Sequence, residues 1–186
     1  MRADSKRILI IGGGVAGPVL AIFLQRAGLS PQIFEAASGP LATGGALGLA
    51  ANGMNVLAAA GVIESVRDAS VTPGNWIFEN QSGRTLASSS SGDIARYGQA
   101  GVMITRAALH SVLVAHAEKE GIPVHYNKHF VGLEDALGEP VVAHFADGSS
   151  AIGDLVVGAD GIRSEVRQVI MPNAPKPAYT GMMAPG

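Results

Sequence analysis

The sequence predicts an α/β fold built around a strand, a glycine turn and a helix, and three observations support this prediction. An apolar run at residues 8–11 ends in the glycine-rich segment 12–17 and is followed by an uncharged run that suits a buried helix. Residues 31–35 then form a second strand pattern. Residues 155–159 are an apolar, β-branched run typical of a parallel strand buried on both faces. Strands that alternate with helices in this way indicate a Rossmann-like, mainly parallel sheet.

The glycine turn predicts the kind of ligand. Gly12, Gly14 and Gly17 have the G-x-G-x-x-G spacing, in which the first glycine permits the turn, the second admits a pyrophosphate and the third lets helix and strand pack closely. The helix N-terminus would bind the phosphates through its unpaired N–H groups. Glu35 follows Gly14 by about 20 residues, where a carboxylate binds ribose hydroxyls and disfavours a 2′-phosphate. We therefore expect a dinucleotide site, the alternative being a βαβ unit with an unrelated surface glutamate.

Composition excludes several other classes of function. The chain has 186 residues, 47% of them hydrophobic and 15% charged, which suits one α/β domain with a proper core. The net charge is −2 and no long basic run occurs, so the footprint of nucleic-acid binding is missing. The five histidines have no metal-ligand spacing, and the absence of cysteine excludes disulfides and fits a reducing compartment. No apolar run suits a signal peptide or a membrane span, so we expect a cytoplasmic protein.

The segment after Glu35 is less regular. Residues 38–49 are too glycine-rich for a regular element and too apolar for a free loop, so we expect a connector that is buried or lies against a flat surface. Asn52 is predicted to cap a helix that ends at Ala60, before Gly61. Residues 76–79 and 85–87 predict a β-hairpin, which interrupts the strand–helix alternation and suggests an inserted second layer. The serine-rich run 88–92 predicts a mobile loop.

A further candidate residue lies at the start of the next helix. Residues 102–104 predict a strand, and Thr105 is expected to cap a helix over residues 106–120 that stops at Gly121. Arg106 falls in the first helical turn, where a cation opposes the helix dipole unless an anion is near. This local argument leaves two interpretations open, an anion contact and a solvated arginine. His110 and His116 are expected at surface or interface positions rather than in catalysis.

The last third of the chain predicts a meander and a final strand. Residues 124–133 and 140–145 suit two strands, and a turn at Asp147 followed by another extended piece completes the meander. The run 155–159 ends in Asp160, and Ser164 is expected to cap a short helix over residues 165–170. Asp160 thus lies at the carboxyl end of a strand, the edge where open α/β sheets bind ligands, and should face the glycine turn. The proline-rich tail 172–185 is expected to be extended.

Three blocks of sequence, spread over almost the whole chain, form a larger pattern. The first is residues 10–17 together with Glu35. The second is Arg106-Ala107-Ala108-Leu109 with Leu113, similar to an R-x-x-L-x-x-x-L helix. The third and most specific is residues 157–167, similar to a G-A-D-G-x-x-S-x-V-R motif. Together the blocks resemble the class A flavoprotein monooxygenases, the para-hydroxybenzoate hydroxylase-like family that includes tetracycline-inactivating monooxygenases.

The resemblance implies a Rossmann-like FAD-binding domain of the GR2 type, with an inserted hairpin and meander and a partial substrate-domain sheet. It also implies which residues hold the FAD pyrophosphate, namely Gly12, Gly14, Val15, Ala16 and Gly17 of the glycine turn. Glu35 and the adjacent Ala36 would lie at the adenosine ribose, and Phe130 would offer its backbone to the adenine.

The other implied contacts concern the flavin end of the cofactor. Arg106 would lie on the flavin side, and residues 44–49 would line the flavin ring, which accounts for their apolar, glycine-rich character. Asp160 with Gly161 would lie in the FAD and NAD(P)H region. The resemblance implies no catalytic acid–base residue and no metal ligand, because the cofactor supplies the reactive group.

The implied reaction is a hydroxylation. NAD(P)H reduces FAD, reduced flavin and dioxygen form a C4a-hydroperoxyflavin, and its distal oxygen passes to a small organic substrate, aromatic or polyketide-like. The expected partner is therefore a small molecule, with no nucleic acid and no membrane. The alternative is an FAD- or NAD-binding module, such as a reductase fragment, without oxygenase activity.

The resemblance covers the N-terminal half of the family. Its second flavin motif, a G-D-A-x-H-like segment, normally follows well beyond the D-G motif and does not occur in these 186 residues. We expect a discontinuous FAD-binding domain over residues 1–72 and 102–186, with a partial substrate-binding layer over 73–101. We also expect low turnover by this chain alone, and association with a C-terminal half or with itself.

Overall fold

The computed structural model describes residues 5–40, 44–90, 94–135 and 139–182. The chain divides into two compact units, the first formed by residues up to 40 together with those from 113 onward, and the second by residues 41–112. The first unit contains a parallel sheet flanked by helices, which confirms the predicted α/β fold. None of the helices described is both long and apolar enough to cross a bilayer.

The regular elements alternate between strand and helix at the start of the chain, whereas five strands precede the last helix. In order they are β1 (Arg7–Ile11), α1 (Ala16–Arg26), β2 (Ser30–Phe34), β3 (Ala46–Leu49), α2 (Ala51–Ala59), α3 (Ile63–Asp68), β4 (Asn75–Glu79), β5 (Thr85–Ser90), α4 (Ile94–Tyr97), β6 (Val102–Thr105), α5 (Arg106–Lys119), β7 (Val124–His125), β8 (Phe130–Glu134), β9 (Val141–Phe145), β10 (Ser150–Gly153), β11 (Leu155–Gly158) and α6 (Glu165–Ile170).

The first unit is organised by a four-stranded parallel sheet in the order β11-β1-β2-β7. Ile11 at the end of β1 lies opposite Gly158 of β11 and Phe34 of β2, so the carboxyl ends of three strands meet at one edge. The antiparallel meander β8-β9-β10 forms a second sheet of this unit. The two sheets and α6 share an apolar core, to which the buried contributors are Leu9, Ile11, Phe34, Phe130, Ala143, Phe145 and Val166.

The second unit contains two small sheets and the helices around them. Strands β3 and β6 pair antiparallel, and Val71 bridges to Met103 at the edge of β6. Strands β4 and β5 form the predicted hairpin, with Trp76 opposite Ser89 and Phe78 opposite Ala87. Thr105 Oγ1 accepts a hydrogen bond from the Ala108 N–H at 3.1 Å, which confirms the predicted cap of α5.

Two strand predictions are wrong in their details. The predicted strand 124–133 is divided between β7 in the parallel sheet and β8 in the meander, because Asn127 adopts a left-handed backbone conformation with φ of 56°. The strand β11 is not buried on both faces. It lies at the edge of the parallel sheet, and Leu155 is 51% exposed.

Four further expectations also need correction. Residues 46–49 form a regular strand despite Gly48. Ser88–Ser90 belong to β5 rather than to a loop, and residues 91 and 92 lie outside the described part of the chain. Asn52 does not cap α2, since it lies inside the helix and Ala50 occupies the cap position without a side-chain hydrogen bond. His110 is 2% exposed and therefore not a surface residue.

Candidate functional site

The candidate site of the first unit lies where the strands β1, β2 and β11 end. The Gly12 N–H donates to the carbonyl oxygen of Phe34 at 2.8 Å, and the Ala159 N–H donates to that of Ile11 at 2.7 Å. These two bonds bring the glycine turn, the end of β2 and the segment before Asp160 to one edge of the sheet. This is the edge at which parallel α/β sheets bind ligands.

The three motif glycines of this turn have different surroundings. Gly12 has φ of +110°, and a Cβ atom there would overlap the backbone of Ala159. A Cβ on Gly17 would overlap the carbonyl oxygen of Gly12, so helix α1 packs on the turn with no room for a side chain. Gly14 is the exception, since a Cβ there would meet no atom within 4 Å. The protein therefore requires the first and third glycines for its own packing, while the second leaves open space for a ligand.

The helix after the turn begins without a side-chain cap. Helix α1 begins at Ala16, and Val15 at its cap position provides no side-chain acceptor. No acidic side chain lies in the first turn. The N–H groups and the positive end of the helix dipole are thus available to an anion, as a bound pyrophosphate requires.

Glu35 is bound to the glycine turn itself. Its Oε2 accepts a hydrogen bond from the Gly13 N–H at 2.6 Å, and its Oε1 accepts one from the Ala37 N–H at 2.8 Å. The side chain therefore spans the loop that contains Ala36 and reaches the turn. Each carboxylate oxygen retains a second lone pair that a ribose hydroxyl can use.

Asp160 combines a structural bond with an unpaired oxygen. Its Oδ2 accepts hydrogen bonds from the N–H groups of Glu165 at 2.7 Å and Val166 at 3.1 Å, so it caps α6 together with Ser164. Its Oδ1 is buried and has no hydrogen-bond partner among the described residues. A buried carboxylate oxygen without a donor is costly, and a hydroxyl group of a ligand would relieve that cost. Gly161 follows with φ of 79°, which turns the chain toward α6.

The other two predicted residues have contrasting environments. The Phe130 side chain is 3% exposed and packs in the core of the first unit, so any contact with a cofactor falls to its backbone. Arg106 belongs to the second unit, where its N–H donates to the Gly45 carbonyl at 3.0 Å and Gly44 lies against its Cβ. Its guanidinium has no partner among the residues that the structure describes, which leaves it available to an anion.

Sequence reasoning missed the loop that runs beside Glu35. His125 stacks on Phe34 with ring centroids 4.9 Å apart, and burial, followed by the charge of Lys128, lowers the pKa of its imidazole. The Tyr126 hydroxyl is buried, and burial, followed by the charges of Glu118 and Glu35, raises its pKa. Asn127 was the available signal, because asparagine tolerates a left-handed conformation that ends a strand. Within the described ranges no group of three acidic or histidine side chains could hold a metal ion.

These features fit a dinucleotide cofactor. The open space at Gly14, the uncapped start of α1, the lone pairs of Glu35 and the unpaired oxygen of Asp160 are separate observations within one unit. None of them requires a basic side chain, because backbone N–H groups at a helix N-terminus suffice for a pyrophosphate.

Comparison with known proteins supports FAD as the cofactor of the family. A family model described as an FAD binding domain matches residues 5–181. The 6-hydroxynicotinate 3-monooxygenase of Pseudomonas fluorescens is 31% identical over an alignment that covers 98% of this chain and 47% of that protein. The 3-amino-4-hydroxybenzoate 2-monooxygenase of Streptomyces cremeus is 32% identical, covering 94% of this chain and 44% of that protein.

Solved structures are also similar. The tetrameric form of 2-methyl-3-hydroxypyridine-5-carboxylic acid oxygenase aligns with a TM-score of 0.78 and 29% identity, covering 91% of this chain and 43% of that one. Klebsiella pneumoniae HpxO, solved with FAD and uric acid, aligns with a TM-score of 0.78 and 25% identity, covering 90% of this chain and 42% of that one. The chain spans about half the length of the curated relatives it matches. It belongs to the FAD binding domain family.

Proposed function

We propose that this chain is the FAD-binding portion of an NAD(P)H-dependent monooxygenase that hydroxylates a small aromatic substrate. The observation that supports it most is the division of roles in the glycine turn, where Gly12 and Gly17 are packed against the protein and Gly14 is open. That pattern is what a pyrophosphate close to the backbone requires. The monooxygenase relatives support the class of reaction.

Each residue has a distinct proposed role toward FAD. The backbone of residues 12–17, including Val15 and Ala16, holds the pyrophosphate at the start of α1. Glu35 and Ala36 lie at the adenosine ribose, and the backbone of Phe130 at the adenine. Arg106 provides a positive charge on the flavin side. The Oδ1 of Asp160 accepts a hydrogen bond from a hydroxyl group of the ligand. The positive φ of Gly161 allows the chain to turn away beside it.

The protein contributes binding and orientation rather than acid–base chemistry. When bound, FAD supplies the electron transfer and oxygen activation that side chains cannot. Asp160 already caps α6, so its carboxylate is fixed in position before a ligand donates to it. The apolar, glycine-rich segment 44–49, which includes strand β3, would exclude water from the flavin ring.

The substrate class rests on the names of the relatives. 6-Hydroxynicotinate, 3-amino-4-hydroxybenzoate and 2-methyl-3-hydroxypyridine-5-carboxylic acid all combine an aromatic ring, a hydroxyl group and a carboxyl group. We propose a substrate of this kind. We also propose that the protein is cytoplasmic.

A second candidate function is that of an FAD- or NAD-binding module without oxygenase activity. The open space at Gly14, the uncapped start of α1 and Glu35 would suit either dinucleotide. The absorption spectrum of the purified protein, followed by titration with FAD and with NADH, separates an FAD-binding chain from an NAD-binding module, and NAD(P)H oxidation coupled to a hydroxylated product separates a monooxygenase from an FAD-binding module. Flavin absorption bands and saturable FAD binding are expected. A colourless protein that binds NADH and not FAD would overturn the proposal.

A further inference from the structure

Glu35 is held in place from four directions. Its backbone N–H donates to the His125 carbonyl and its backbone carbonyl accepts from the Lys128 N–H, both at 2.8 Å. Its two carboxylate oxygens accept from the N–H groups of Gly13 and Ala37 at 2.6 and 2.8 Å. All of these bonds lie within the first unit.

The loop 125–128, here called the bracing loop, makes this arrangement possible. The Asn127 N–H donates to the Ala37 carbonyl at 2.9 Å, so the loop is hydrogen-bonded to both ends of the segment 35–37. The left-handed conformation of Asn127, with φ of 56°, places successive N–H groups toward that segment. The bracing loop therefore fixes the backbone of Glu35, and the carboxylate in turn reaches the glycine turn.

We propose that Glu35 is a positioning residue, which orders the glycine turn before FAD arrives, in addition to any contact with the ribose. This inference rests on the proposed function and adds a role that a ribose contact alone does not include. Bonds from N–H groups to a carboxylate are among the stronger hydrogen bonds in proteins. If the turn is ordered in advance, the free energy of FAD binding no longer includes the entropic cost of ordering the backbone that binds the pyrophosphate.

The substitution Glu35→Gln separates the two roles. The N–H groups of Gly13 and Ala37 both need an acceptor, and a glutamine amide has one oxygen and one NH₂ group, so one donor would face another donor. A ribose hydroxyl both donates and accepts, so the amide can still bond to it. Glutamine therefore removes one of the two bonds from Gly13 and Ala37 and largely preserves the ribose contact.

The first measurement is amide hydrogen exchange in the cofactor-free protein. Glu35→Gln is expected to speed exchange at Gly13 or Ala37 by about tenfold or more, as loss of a hydrogen bond to a charged acceptor predicts. Glu64→Gln, which removes an exposed glutamate of the second unit, is the matched control and should leave those amides unchanged. Unchanged exchange in Glu35→Gln would overturn the proposal, whatever the protein binds.

The second measurement compares FAD with an analogue that lacks both hydroxyls of the adenosine ribose. If Glu35 positions the turn, Glu35→Gln weakens both ligands by a similar factor. If Glu35 acted only through the ribose, the effect of the substitution would vanish with the analogue. Failure of the parent chain to bind FAD at all would refute the proposed function, and the exchange measurement would still decide the role of Glu35.

The bracing loop provides a second pair of variants should Glu35→Gln fail to fold. Asn127→Gly retains the left-handed conformation, whereas Asn127→Val opposes it. Faster exchange at Gly13 in the valine variant, with parent-like exchange in the glycine variant, is expected. Equal exchange in both variants and the parent would contradict the transmission from the loop through Glu35 to the turn.

Discussion

The glycine turn of the first unit and the β4–β5 hairpin of the second differ in how far the rest of the protein contacts them. The turn is closed by the bond from the Gly12 N–H to the Phe34 carbonyl and by Oε2 of Glu35. The open space at Gly14 and the Oδ1 of Asp160, which lacks a partner among the described residues, suit a single ligand. In the hairpin every residue of β4 is exposed, including Trp76 at 47% and Phe78 at 57%. Two strands alone are marginally stable in water. The turn is thus fixed by contacts within its unit and leaves space for a ligand, whereas the apolar side chains of the hairpin are exposed.

The largest expected effect concerns the packing of the turn itself. Gly17→Ala should lower the free energy of unfolding by about 3 kcal/mol, because the new Cβ overlaps the Gly12 carbonyl oxygen and no rotamer can relieve it. Gly53→Ala in helix α2 is the control, since a Cβ there meets nothing within 4 Å. This substitution should raise the free energy of unfolding by about 1 kcal/mol at most. Denaturant unfolding measures both. A parent-like Gly17→Ala would show that α1 does not pack on the turn as described.

The hairpin prediction concerns association. The aromatic side chains of Trp76 and Phe78 lie on one face of the hairpin, and exposed apolar strands promote self-association. We expect the sedimentation coefficient of the 186-residue chain to rise with concentration, and the double substitution Trp76→Thr with Phe78→Thr to suppress this rise. Stability should change by only about 0.5 kcal/mol, as for surface sites generally.

A matched control exists in the other unit. Ile162 is 74% exposed, so Ile162→Thr removes an apolar surface side chain away from the hairpin and should leave the association unchanged. A parent chain that remains monomeric at all concentrations would mean that the hairpin needs no cover. Association abolished equally by Ile162→Thr would assign it to a different surface.

The smallest expected effect is on acid stability in the first unit. Bonds from Lys128 and from the hydroxyl and N–H of Ser149 lower the pKa of Asp147 well below its usual range. Because the unfolded chain binds a proton at about pH 3.9, the contribution of Asp147 is present above that pH and is lost as the pH falls below it. Asp147→Asn should therefore reduce the fall in melting temperature at acid pH, which appears as a flatter acid limb in a plot of melting temperature against pH. Asp68→Asn, an aspartate of helix α3, is the control, and identical acid limbs for Asp147→Asn and the parent would contradict the prediction.

The sequence predicted the parts of the site that depend on glycine spacing. The G-x-G-x-x-G turn, the glutamate at the end of β2 and the capped helices α5 and α6 have local causes that act within a few residues. The edge position of β11 was not predictable, since the composition of a strand reports its apolar character and not the number of its neighbours. The buried position of His110 likewise depends on tertiary packing.

The role of Glu35 shows a different limit. Its spacing from Gly14 predicted a carboxylate at a ribose, but its bonds to Gly13 and to the bracing loop depend on a crossing of segments that are distant in sequence. The left-handed Asn127 could have marked that loop, because it interrupts an otherwise regular strand pattern. Turn-forming residues inside a predicted strand therefore merit as much attention as the glycines.

The central claim, that the glycine turn holds the pyrophosphate of FAD, is tested most directly by titrating FAD into the parent and into Gly14→Val, with the melting temperature of each. A Cβ at Gly14 would meet no described atom within 4 Å, and the φ of Gly14 lies outside the left-handed range, so the cofactor-free variant should unfold at nearly the parent temperature. Its valine side chain would occupy the space of the pyrophosphate. The account predicts no saturable FAD binding by Gly14→Val over the range in which the parent saturates. Parent-like affinity in a normally folded Gly14→Val would contradict it.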